Sequence, residues 1–76
     1  MPTSVEIREV ALSLARQGIE PEEGASRLLA ESPRRIPVVM AKRELEEEMH
    51  GGGYEVDLPV AVKILETALS QGNWAE

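Results

Sequence analysis

Apolar side chains recur along the chain at helical spacing in four segments, and glycine or proline separates one segment from the next. Intervals of three and four residues predict helices that bury one face and expose the other. We predict helices over residues 4–17, 21–31, 36–50 and 58–71, with no strand between them. The pattern therefore predicts an all-α fold, a compact four-helix domain in which residues 1–76 form a single unit.

Local signals mark the ends of these helices. Thr3 lies three residues before Glu6, which is the spacing of a capping box, and Gly18 follows the first helix as a left-handed terminal residue. Ile19 can fold back on that helix as the apolar contact of a Schellman ending. Asp57 occupies the position expected of an N-cap for the last helix.

Two features of the pattern predict close packing inside the domain. Gly24 interrupts the second predicted helix at a cost of about 1 kcal/mol relative to alanine, which indicates that another helix crosses closely there. The fourth predicted helix carries an apolar arc wider than that of a surface helix, formed by Leu58, Ala61, Val62, Ile64, Leu65, Ala68 and Leu69. Such a helix is either central to the bundle or shared with a second chain.

Some apolar residues fall outside the predicted core faces. The third helix directs Val38, Ala41, Leu45 and Met49 toward the core, and its other apolar residues point elsewhere. The predicted protein interface consists of Val5, Leu12, Val39, Met40 and Val60. Five such residues on a domain of 76 residues predict a contact patch, for which methionine is an adaptable side chain. Because small domains often gain stability by oligomerising, we predict a homodimer or a larger assembly.

Charge is unevenly distributed along a chain whose formal net charge is −6. Residues 32–43 hold no acid and form a basic island that contains Arg34, Arg35, Lys42 and Arg43. From Glu44 to Asp57 the chain holds six carboxylates and neither lysine nor arginine. Opposite patches on one small surface suit self-association by complementary charge. The acidic segment alternatively meets a basic partner or is simply a solvated face.

The basic island also permits a nucleic-acid interpretation. The second helix, a short turn and the third helix have the outline of a helix-turn-helix, with the four cations available for phosphates or bases. The net negative charge, the prolines at positions 33 and 37, and the acidic second half of the third helix count against it. A DNA-binding transcriptional regulator is therefore the alternative prediction.

No pattern in the sequence predicts catalysis or a cofactor. The absence of cysteine excludes disulfides, thiolate ligands and a cysteine nucleophile. The glycine triplet at 51–53 ends a predicted helix instead of preceding one, unlike a phosphate-binding loop. Glu47 and His50 have the spacing of a ligand pair in di-metal bundles, but a single histidine in a last turn more often complements the helix dipole. We predict no enzyme, no metal and no cofactor.

The remaining signals concern location and origin. No apolar run is long enough to span a membrane and the N-terminus lacks a secretory pattern, so a cytoplasmic location is expected. The abundance of alanine, arginine and glutamate is typical of a GC-rich bacterial or phage gene. The sequence as a whole predicts a small regulatory or adaptor protein that acts through contacts with another protein, whose identity stays open.

Overall fold

Four helices account for the regular structure of the residues that the structure describes. The computed structural model describes residues 3–31, 34–52 and 55–72, and these ranges contain no strand. The helices are α1 (Ser4–Arg16), α2 (Pro21–Glu31), α3 (Arg35–His50) and α4 (Asp57–Gln71). Predicted and observed helix ends differ by at most one residue. The predicted all-α four-helix domain is therefore confirmed.

Both ends of α1 follow the predicted signals. The Thr3 hydroxyl accepts a hydrogen bond from the Glu6 amide at 3.3 Å. At the other end, Gly18 has a φ of 77°, in the left-handed region that glycine adopts without strain. The Ile19 amide then donates to the Leu14 carbonyl at 3.2 Å, which is the longer-range bond of a Schellman motif.

The starts of α3 and α4 differ in detail from the prediction. Because α3 begins at Arg35, Pro37 occupies its third position, where an amide would have no partner inside the helix. The predicted N-cap role of Asp57 is wrong, because α4 begins at Asp57 and its cap residue is Val56, with no side-chain cap bond. The Asp57 carboxylate lies instead in the first turn, where the helix dipole favours an anion.

The end of α3 coincides with the glycine triplet. Gly51 is the C-cap, and its amide donates to the Glu47 carbonyl at 2.8 Å. Gly52 has a φ of 96° and its amide donates to the Met49 carbonyl at 3.3 Å. The third glycine of the triplet, like the proline at position 33, lies outside the described residues.

The other three helices are arranged around α4. It packs against α1, α2 and α3, whereas α2 and α3 make no contact with each other within the described part of the chain. The buried side chains of α4 are Leu58, Ala61, Val62, Ile64, Leu65 and Ala68. The central position of α4 therefore explains its wide apolar arc, and no second chain is needed to cover it.

A close approach of α2 to α4 occurs at Gly24. A Cβ atom added to Gly24 would lie 3.0 Å from Cδ1 and 3.1 Å from Cγ1 of Ile64, which is fully buried. Such distances are tighter than most real Cβ contacts, so the Ile64 side chain would have to shift by a few tenths of an ångström to admit a side chain at position 24. The prediction that another helix crosses closely at Gly24 is confirmed.

Two apolar residues depart from their predicted positions. Leu12 is only 6% exposed and belongs to the core. Because α1 packs against α2, α3 and α4, its buried arc extends beyond the single predicted stripe and includes Leu12. Met49 was predicted to face the core but is exposed, since it lies in the last turn of α3, beyond Leu45, the last buried residue of that helix.

The contact between Gly24 and Ile64 leads to a stability prediction. Gly24→Val should lower the free energy of unfolding by about 2 kcal/mol, because the added methyl groups overpack the crossing. Ser26→Val is the matched control in the same helix, where the side chain is exposed and the change should stay within about 0.5 kcal/mol. Urea denaturation followed by circular dichroism measures both, and equal losses would contradict the close crossing.

Candidate functional site

The structure distributes the five predicted interface residues over three helices. Leu12 is buried, so its assignment to an accessible interface is wrong. Val5 on α1, Met40 on α3 and Val60 on α4 are exposed, and Val39 on α3 is half-buried. Only α3 therefore contributes two of these residues next to each other.

An outward-facing row of side chains runs along α3. At 3.6 residues per turn, steps of four, three and four residues keep side chains on one side of a helix. We call the row that follows this spacing the outer stripe; it consists of Ile36, Met40, Arg43 and Glu47. All four residues are exposed, and they lie opposite the buried residues Val38, Ala41 and Leu45.

The N-terminal half of the outer stripe is apolar. Ile36 is 60% exposed and Met40 is 50% exposed, one turn apart on the same side of the helix. Val39 lies beside them and is half-buried. Sequence reasoning missed Ile36 because it placed the start of the helix there. The interval of four residues between Ile36 and Met40 was the signal that could have identified it.

Cations and carboxylates occupy opposite ends of α3. Arg34 is the cap residue of α3, Arg35 is its first residue and Arg43 lies near its middle, whereas Glu47 and Glu48 lie in its last turns. All five residues are exposed. Within the described residues, no ion pair engages Arg43, Glu47 or Glu48. The solvent-facing side of α3 therefore carries opposite charge at its two ends.

Other charges of α3 are paired within the domain. Lys42 Nζ lies 3.1 Å from the Glu46 carboxylate at the i,i+4 spacing of one turn, and both residues are half-buried. Glu44 lies 3.8 Å from the guanidinium of Arg8, which connects α3 to α1. Lys42 is thus less available to an external ligand than Arg34 and Arg43, for which the described residues provide no ion pair.

Arg16 connects the last turn of α1 to the start of α4. Its Nε donates a hydrogen bond to the Glu55 carboxylate at 2.9 Å, and Nη2 donates to the same oxygen. The Asp57 carboxylate lies 3.9 Å from Nε. The hydrogen bond and the negative charge of Glu55 raise the pKa of Arg16 above its ordinary value. Four of the six carboxylates between Glu44 and Asp57 are thus paired inside the domain.

The relation of α2 to α3 bears on the nucleic-acid interpretation. The two helices of a helix-turn-helix are joined by a short turn and act as one unit, with the second in the groove and the first across the backbone. Here α2 and α3 have no contact in the ranges that the structure describes. The cations Arg34, Arg35 and Arg43 are nevertheless exposed, so they can reach a charged surface.

The described part of the chain offers no enclosed site. It contains no pocket and no group of three His, Asp or Glu side chains that could hold a metal ion. His50 is exposed in the last turn of α3. Among these same residues, no helix combines the length and the apolar character that crossing a membrane requires.

The fold defines the class of this protein as an all-α four-helix domain arranged around a central fourth helix. Comparisons with protein-family models, with curated proteins and with solved structures gave no match. The functional inference therefore depends on this chain's own surface, and the outer stripe of α3 is its main candidate site.

The burial of Leu12 predicts how two apolar residues of α1 differ. Leu12→Ala should lower the free energy of unfolding by about 2–4 kcal/mol, because it leaves a cavity in the core. Val5→Ala, at a residue that is 51% exposed, should cost less than about 0.7 kcal/mol. Thermal or urea unfolding gives both values. Similarly small losses of unfolding free energy in both variants would contradict the burial of Leu12.

Proposed function

We propose that this chain is a small non-enzymatic regulatory or adaptor protein that acts through protein–protein contacts and self-associates. The observation that carries the proposal is the pair of exposed apolar side chains on one face of α3, Ile36 and Met40, with Val39 beside them. Exposed cations and carboxylates flank this pair. An apolar centre with a charged rim is the arrangement that protein interfaces use.

The size of this surface indicates what kind of contact it supports. Complete burial of an Ile or Met side chain contributes about 1.5–3 kcal/mol, and these two are already about half covered in the free domain. Together they supply on the order of 2 kcal/mol, so charge complementarity must provide orientation and much of the specificity. A contact of this kind is weak and reversible, as regulatory contacts commonly are.

The proposal does not depend on the other two exposed interface candidates. Val5 lies on α1 and Val60 lies on α4, and neither belongs to the outer stripe. Single exposed valines are ordinary on any protein surface. They remain candidate contacts that a larger partner could cover in addition to α3.

Affinity capture with a matched pair of variants tests the proposal. The tagged chain is incubated with a nuclease-treated lysate of its native host, and retained proteins are identified by mass spectrometry. We expect Met40→Asp to reduce the retained partner about tenfold, which corresponds to about 1.4 kcal/mol, because it places a carboxylate at the centre of the apolar pair. Val56→Asp, at an exposed valine between α3 and α4, should leave capture unchanged.

Equal capture by wild type and Met40→Asp would contradict a docking role for α3. Both substituted residues are exposed, so the far-ultraviolet circular dichroism and the thermal midpoint of each variant should match those of the wild type. Capture that is lost equally in Met40→Asp and Val56→Asp would likewise contradict a contact confined to the outer stripe.

DNA binding through the exposed cations is the alternative function. Arg34, Arg35 and Arg43 favour it, whereas the net charge of −6 and the separation of α2 from α3 weigh against it. We expect no measurable binding to a random duplex at about 0.15 M salt in fluorescence anisotropy. Binding that falls steeply with salt and is lost in Arg34→Ala/Arg35→Ala would instead establish the alternative.

A further inference from the structure

The charges at both ends of α3 have the unfavourable sign for its helix dipole. Arg34 is the cap residue, Arg35 is the first residue, and the first turn of α3 holds no acid. Glu47 and Glu48 lie in the last turn, together with His50. Cations near the start of a helix and carboxylates near its end are repelled by the partial charges of the backbone there. This distribution of charge therefore weakens α3 at both ends.

The other three helices have the favourable sign of charge at their starts. Glu6 lies in the first turn of α1, and Asp57 lies in the first turn of α4. Glu22 and Glu23 lie in the first turn of α2. The Thr3 hydroxyl additionally caps α1. Among the four described helices, α3 is thus the one without an acidic residue in its first turn.

α3 also buries the smallest share of its residues. Three of its 16 residues are buried, compared with six of 15 in α4, five of 13 in α1 and three of 11 in α2. Each of the other helices adds a partly buried apolar residue that packs against the core, whereas α3, all of which is described, adds none. These residues are Val10, Leu29 and Leu69. A helix with few buried apolar contacts opens at a low cost in free energy.

The remaining helices do not need α3 in order to contact one another. In the part of the chain that the structure describes, α1, α2 and α4 pack pairwise, and α3 packs against α1 and α4. Departure of α3 therefore leaves the contacts among the other three helices in place. Gly51 and Gly52 follow α3 directly, and glycine lets the chain change direction there without steric cost.

We propose that α3 opens from the domain as a unit by local unfolding, while α1, α2 and α4 stay packed together. The open state is a minor population that uncovers the sides of α1 and α4 against which α3 packs. The outer stripe exists only when α3 is helical, so a partner that binds the stripe shifts the population toward the closed state. The opening itself does not rest on the proposed function, because it occurs in the isolated chain.

Site-resolved hydrogen exchange of the isolated chain, measured by NMR, tests the proposal. Ala41 and Leu45 in α3 and Ala61 and Leu65 in α4 are equally buried, each 0% exposed. After correction for intrinsic rates, we expect the α3 amides to exchange at least about tenfold faster, because they exchange when α3 alone opens. Equal protection of the two pairs would overturn the proposal, as would faster exchange of the buried Leu28 of α2.

Introduced thiols give a second measurement of opening, since the chain has no cysteine of its own. Ala41→Cys in α3 and Ala61→Cys in α4 replace two fully buried alanines by the same larger side chain, so any overpacking is matched. The thiol reagent DTNB reaches a buried cysteine when its segment opens. We expect Ala41→Cys to react at least about tenfold faster than Ala61→Cys, and equal rates would overturn the proposal.

A substitution at the start of α3 tests the electrostatic cause. Arg34→Asp places a carboxylate at the cap residue, whose φ of −101° and ψ of 133° suit an N-cap side chain. We expect it to slow exchange of the α3 amides about fivefold. Lys63→Glu makes the same change in charge at an exposed residue in the middle of α4, and it should change α3 exchange less than about twofold. Equal responses to the two variants would overturn the electrostatic cause.

A substitution at the other end of α3 tests the same cause independently. Glu48→Lys places a cation in the last turn, where the dipole favours it, and should slow α3 exchange about threefold. Glu66→Lys is the matched control at an exposed residue in the middle of α4. Because residues 34 and 48 are far apart along the helix, the effects of Arg34→Asp and Glu48→Lys should multiply in the double variant. An α3 that exchanges as fast in the double variant as in the wild type would overturn the cause.

The outcomes distinguish this inference from the proposed function. Fast exchange of the α3 amides, together with partner capture that Met40→Asp leaves unchanged, would support the opening of α3 and overturn its docking role. Loss of capture in Met40→Asp, together with an α3 as well protected as α4, would support the docking role and overturn the opening.

Discussion

Burial of α4 between the other three helices is the interaction on which the whole domain depends. Its largest side chains, Leu58, Ile64 and Leu65, are fully excluded from water. Because α2 and α3 have no contact of their own within the described residues, α4 and α1 hold them in one domain. A chain of this length buries only about 60% of the surface that its unfolded form exposes, so these apolar contacts supply most of a small margin of stability.

The central position of α4 also limits how much apolar surface is left for function. The wide apolar arc of α4 and the Leu12 side chain of α1 pack inside the domain, so they are not available to a partner. Exposed apolar residues remain on several elements, but on α3 they lie one turn apart and between charged groups. The candidate docking surface is therefore smaller than the five residues of the sequence prediction indicate, and it lies on one helix.

Local and non-local properties of the chain were predictable to different degrees. Helix positions and the ending of α1 depend on periodicity and on nearby caps, so the sequence was sufficient for them. The burial of Leu12 depends on how many helices surround α1, which no spacing within α1 reveals. The pairs Arg8–Glu44 and Arg16–Glu55 join residues far apart in the chain, so the carboxylates appeared unpartnered in the sequence.

The crossing at Gly24 has a consequence for access to α3. A glycine at a helix crossing lets a side chain of the neighbouring helix pack closely on its backbone, and here Ile64 of α4 packs against Gly24 of α2. No described residue of α2 has its Cα within 8 Å of a Cα of α3, so α2 lies apart from that helix. Gly24, which has no side chain, thus allows α2 to pack on α4, and α3 of this small protein is left without α2 as a neighbour.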